Sequence, residues 1–91
     1  MAETARILAA KAAIRVSSGG YSNLVLDAAL KNSTLDARDK AFASALFYGA
    51  LERRISLDRL LARYCSRPLG ELTPAVLESL RLGLYQILYM D

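Results

Sequence analysis

Two pairs of basic side chains, Lys11 with Arg15 and Arg59 with Arg63, are the groups here whose type and spacing suit chemistry on a partner. Each pair is four residues apart, a little over one helical turn, so both members share a helix face. Neither Arg59 nor Arg63 has a carboxylate four residues away, and Arg67 carries the basic row onward. Arg6 adds a cation on the far side of the Lys11/Arg15 segment, with Glu3 at the i,i+3 spacing that could neutralise it. The chemistry of such rows is electrostatic: they hold a polyanion by its phosphates. Arginine dominates the 12 basic residues, and its planar fork is the better phosphate ligand. The plain alternative, a solvated outer face, stays open for both rows. Arg53 and Arg54 form a third pair, but cations suit the C-terminal end of a helix, and that role is sufficient for them.

Covalent chemistry finds no comparable footing. There is no histidine for acid–base work, the single Cys65 has no cysteine or histidine partner, and the five glycines have no phosphate-loop spacing. The carboxylates are scattered, mostly near helix starts. These residues describe a binding or scaffolding domain with no metal, no cofactor loop and no catalytic set of its own.

The rows need helices to present them, and the pattern supplies about five. A central rod runs from Leu35 to Asp58, opened by the capping carboxylate of Asp36. Its residues Ala41, Phe42, Ala43, Ala45, Leu46, Phe47, Tyr48, Ala50 and Leu51 are apolar nearly all round, which predicts burial inside a bundle. Gly49 costs that rod about 1 kcal/mol relative to alanine, which implies a crossing backbone too close for a Cβ, the alanine-rich first helix being the partner that fits; a flexible kink is the alternative. That first helix spans Thr4, its cap, to about Val16, with Ile7, Leu8, Ile14 and Val16 as anchors. Gly19 or Gly20 ends it in a left-handed turn.

A short second helix is expected from Leu24 to about Leu30, capped by Ser22 or Asn23, with Tyr21 folded over its start and Leu24, Leu26 or Ala28, and Leu30 inward. Ser56 is the candidate cap of a fourth helix, whose stripe is Leu57, Leu60, Leu61 and Tyr64, opposite Arg59 and Arg63. Thr73-Pro74 opens a last helix, a capping hydroxyl followed by proline at the first helical position. Its expected inward stripe is Val76, Leu77, Leu80, Leu84, Ile87 and Leu88, with Leu82, Tyr85 and Tyr89 widening the apolar surface and Glu78 bridging Arg81.

At 91 residues the chain has room for one domain, spanning 1–91. The apolar share of 54% is high for that size, so some of it is expected to face a partner. No apolar run reaches the roughly 18 residues of a membrane span, and no basic-then-apolar signal peptide opens the chain. One cysteine fits a reducing, cytoplasmic setting. The net charge of +3 leans towards an anionic partner. The last turn, Ile87 to Asp91, carries no glycine, no base and no polar tail, which implies a bundle truncated at its C-terminal end. Its bare apolar surface would then be expected to pair two copies of the chain.

One ordered series runs through these segments: Arg6, Gly20-Tyr21-Ser22-Asn23, Asp39-Lys40-Ala41-Phe42, Tyr48-Gly49-x-Leu51, Arg53-Arg54, Leu57-Asp58, and Leu80-Arg81-Leu82-Gly83-Leu84-Tyr85-Gln86-Ile87-Leu88-Tyr89. The series resembles the NusB-like domain of the RsmB (Sun/Fmu) bacterial rRNA cytosine-5 methyltransferases, over essentially all 91 residues. The resemblance implies an all-α NusB-like bundle that contacts RNA beside a catalytic domain lying downstream. It implies S-adenosylmethionine and cysteine chemistry for the whole enzyme, with neither mapping onto this chain. It places RNA contact on Arg6, Lys11 and Arg15, to which the residues themselves add Arg59 and Arg63. Two other readings stand beside it: a free-standing NusB-type transcription antitermination factor, and a purely structural module that docks its own catalytic domain.

Overall fold

Hydroxyls and a carboxylate set three of the helix starts. In the computed structural model, which describes residues 4–90, the side chain of Thr4 accepts from the backbone N–H of Ile7 and opens α1 (Ala5–Ser17). Asp36 accepts from Asp39 N–H at the start of α3 (Ala37–Glu52), and Thr73 accepts from Val76 N–H at the start of α5 (Pro74–Tyr89), with Pro74 in the first turn. Between them lie α2 (Ser22–Lys31) and α4 (Arg54–Tyr64), and a short 3-10 turn covers Leu69–Glu71. The described residues hold five α-helices and no strand, an all-α bundle.

The two helices without a side-chain cap depart from expectation. Neither Ser22 nor Asn23 caps α2; the capping position falls on Tyr21, whose ring stands 77% exposed instead of folding over the helix start. Ser56 lies inside α4, because α3 and α4 are separated by Arg53 alone. Gly19 does end α1 in the left-handed region, with φ +111°.

α1 packs against α2, α3 and α5, while α3 packs against α1, α5 and α4, so two helices share the centre. Each buries a single face at the i, i+3, i+4, i+7 spacing: Ala5, Leu8, Ala9 and Ala12 on α1, and Ala43, Leu46, Phe47 and Ala50 on α3. α3 is therefore not sheathed all round. Ala41 and Ala45 are exposed, and Tyr48 and Leu51 are partly so. Small alanines tolerate either environment, so an alanine-rich circumference overstates burial. Leu26 of α2 and Leu57 of α4 complete the core, with Leu61 at its margin. Leu24 and Tyr64, expected inward, are exposed at 61% and 82%.

The largest difference concerns α5. Glu78, Arg81 and Leu82 are buried and Tyr85 is half-buried, whereas Val76, Leu80, Ile87 and Leu88 lie on the outer side. The helix is turned so that its charged pair faces in and part of its apolar stripe faces out. Gly49 explains some of that orientation. The close approach is made by the Tyr85 ring of α5, which occupies the space a Cβ at Gly49 would need, and not by the backbone of α1.

Candidate functional site

α1 carries Arg6, Lys11 and Arg15, all exposed. Arg6 is already engaged: its Nε donates to Gln86 Oε1 at 2.6 Å and its guanidinium lies 5.2 Å from the centre of the Phe42 ring. It thus ties α1 to both α3 and α5, and points away from the side where Lys11 and Arg15 stand. Glu3, its expected neutralising partner, lies outside the described residues.

Arg59 and Arg63 are exposed on the outer face of α4, opposite the buried Leu57 and Leu61. α4 packs on α5, α3 and the 3-10 turn, and it shares no principal interface with α1. The five predicted residues therefore form two cationic strips on different helices, with Arg6 partly withdrawn from the first.

The α4–α5 seam holds the contact that sequence reasoning missed, the fork between Arg81 and Asp58. Arg81 donates from Nε to Asp58 Oδ1 at 2.7 Å and from Nη2 to Asp58 Oδ2 at 2.8 Å, a bidentate fork, while Nη1 reaches Glu78 Oε2 at 2.7 Å. The Glu78 bridge was legible from its i,i+3 spacing; the Asp58 fork was not, because its partners are far apart in the chain. The one available signal was an acid between Leu57 and the basic row of α4. Burial alone would favour a neutral Arg81, but hydrogen bonding and charge from Asp58 and Glu78 outweigh it and raise the guanidinium above its ordinary value. The stabilisation this provides is fully present below the ordinary arginine range and is lost only as pH rises through the raised value.

Cys65 is half-buried at the end of α4, and the described residues contain no cluster of ligands for a metal. The cleft between α1, α3 and α5, bordered by Arg54, Glu78 and Arg81, has a volume of about 40 Å³, room for a water and not for a nucleoside. No described helix is long and apolar enough to cross a membrane. The arrangement presents exposed cations on two helices, α1 and α4, with α4 held on α5 by the Arg81–Asp58 fork.

The described residues form a capped, all-helical bundle, and comparison with known proteins places it in a family. The chain belongs to the NusB family, whose model matches residues 3–91. It is 48% identical over 82 residues to ribosomal RNA small subunit methyltransferase B of Thermus thermophilus, covering 90% of this chain and 20% of that protein. It is 33% identical over 87 residues to the probable methyltransferase B of Bacillus subtilis (94% of this chain, 19% of that protein) and 35% identical over 71 residues to that of Synechocystis (78% and 16%). The chain thus spans about a fifth of the length of the curated relatives it matches. No solved structure matches it.

Proposed function

We propose that this chain is the RNA-binding accessory domain of an S-adenosylmethionine-dependent small-subunit rRNA cytosine-5 methyltransferase, working in the cytoplasm. The observation that carries the reading is its 48% identity, over nine-tenths of its length, to a protein named ribosomal RNA small subunit methyltransferase B. The methyl donor and the catalytic residues would belong to the rest of that enzyme, since this chain spans about a fifth of the length of such relatives. Lys11 and Arg15 on α1, and Arg59 and Arg63 on α4, would meet phosphates, with Arg6 contributing less because Gln86 and Phe42 hold it.

The outward stripe of Val76, Leu80 and Ile87 on α5 would be the face that the catalytic part of such an enzyme covers. Left bare, the same stripe would pair two copies of the chain. A free-standing antitermination factor is the second reading, and family membership alone favours it; the length of the relatives weighs for the methyltransferase.

Salt titration tests the RNA reading. Each phosphate contact to single-stranded RNA adds about −0.7 to the slope of log K against log salt. Reversing charge at both Lys11 and Arg15 should flatten the slope by the equivalent of two contacts, and Arg59 with Arg63 by the same. Failure to bind small-subunit rRNA even at low salt would leave the structural docking module as the better description.

A further inference from the structure

Phosphate attachment by the two strips leaves the single-residue junction between α3 and α4 unexplained. Arg53 stands there alone, its backbone N–H donating to Gly49 O at 3.1 Å and so closing α3. Its side chain turns onto α5, where the guanidinium lies 4.1 Å from the centre of the Tyr89 ring, well within cation–π range. The Tyr89 ring in turn lies 5.2 Å from that of Tyr85, tilted by 32°. Tyr85 is the ring that fills the space left by Gly49. The three groups form a run of contacts with a fixed foot at Gly49 and a free upper end: Arg53 is exposed and Tyr89 is 46% exposed.

From this geometry we infer that Arg53, seated on Tyr89, is a stacking platform for one unpaired RNA base. A cation at the end of α3 would need only charge, and a lysine would serve the helix dipole as well. A delocalised guanidinium over an aromatic ring adds a planar group, and arginine planes and aromatic rings are the groups on which splayed RNA bases stack. Among the described residues Arg53 makes no ion pair, not even with its neighbour Glu52, so no carboxylate competes for it. Nothing on the platform reads a base edge, so it accepts any base and selects unpaired over duplex RNA. The inference rests on the RNA reading above and adds to it a contact that salt does not screen.

The test uses the 91-residue chain and a short single-stranded RNA with one 2-aminopurine, whose fluorescence falls when it stacks. Binding should quench the probe, and the same strand in a duplex should bind without that change. Arg53→Lys keeps the charge and removes the plane, and Tyr89→Leu removes the ring beneath it; each should weaken binding about 5- to 100-fold with an unchanged salt slope. Tyr89→Phe, which keeps the ring, should stay within about twofold, and the urea unfolding midpoint should be unchanged in every variant. Salt-dependent binding without quenching in the unmodified chain, or with Arg53→Lys and Tyr89→Leu unaffected, overturns the platform and leaves the RNA reading standing. No RNA binding by any form at low salt overturns both.

Discussion

The two seams that hold this bundle together are built from opposite materials. Where α1, α2 and α3 meet, every fully buried side chain is apolar: Leu8, Ala9, Leu26, Ala43 and Leu46. Where α4 meets α5, the contact is organised around Arg81, 6% exposed, forked onto Asp58 and bonded to Glu78. An apolar seam is tolerant, since leucine and alanine faces can shift by a fraction of a turn and still exclude water. A bidentate fork has one good geometry and a heavy penalty for any other. The comparison suggests a division of labour in which the first seam supplies most of the driving force and the second sets the rotation of α5. That rotation leaves Val76, Leu80 and Ile87 outside.

The most forceful way to break the comparison is to remove one member of the fork. Arg81→Met strands two carboxylates in a mostly buried site and should cost about 3–5 kcal/mol. Replacing all three groups at once, with Arg81→Met, Asp58→Leu and Glu78→Leu, should restore most of that loss, because the burden lies in unpaired charge and not in absent attraction. Urea unfolding of the single and triple variants measures it. A triple variant as unstable as the single one would mean that the fork is itself a main source of stability, and the proposed division would fail.

The apolar seam should respond by a different rule, in proportion to the volume removed. Leu46→Ala and Leu26→Ala should each cost about 2–5 kcal/mol, the range for a fully buried leucine. Leu24→Ala, two residues away on α2, should fall within about 0.5 kcal/mol because that side chain is mostly in water. Equal losses at Leu24 and Leu26 would contradict the observed face of α2.

Legibility from the amino-acid sequence followed the same boundary. Thr4, Asp36 and Thr73-Pro74 announced their helices because a cap is a local interaction, settled within three residues. Gly19 marked its left-handed turn for the same reason. Periodicity placed Leu57 and Leu61 of α4 inward, though Tyr64 of the same stripe is exposed; on α1 the anchor Leu8 is buried, whereas Ile7, expected beside it, is 46% exposed. The rotation of α5 was not legible in this way, because its surface is apolar over most of its circumference and periodicity alone cannot choose among several greasy faces. The choice is made by Asp58, 23 residues from Arg81, and by the Tyr85 ring at Gly49. The exposure of Arg59 and Arg63 was readable, whereas the withdrawal of Arg6 onto Gln86, 80 residues away, and the seating of Arg53 on Tyr89 depend on the same long-range docking.

Gly49 offers the finest test, because it lies where α3 receives a side chain from α5. In an unencumbered helix, replacing glycine with alanine gains about 1 kcal/mol. Here the new methyl would collide with the end of the Tyr85 ring, and displacing that ring also disturbs Tyr89 stacked beside it. Gly49→Ala should therefore destabilise by up to about 2 kcal/mol, the overpacking loss set against the helix gain. In a Tyr85→Ala background the same substitution meets open space, so its effect should change sign. A double-mutant cycle by thermal or urea unfolding isolates that coupling from the separate losses. An additive cycle would mean that Tyr85 moves aside freely, and the rotation of α5 would then have to be set by the Arg81 fork alone. A strongly coupled one would give α5 two independent locks, one ionic against α4 and one steric against α3.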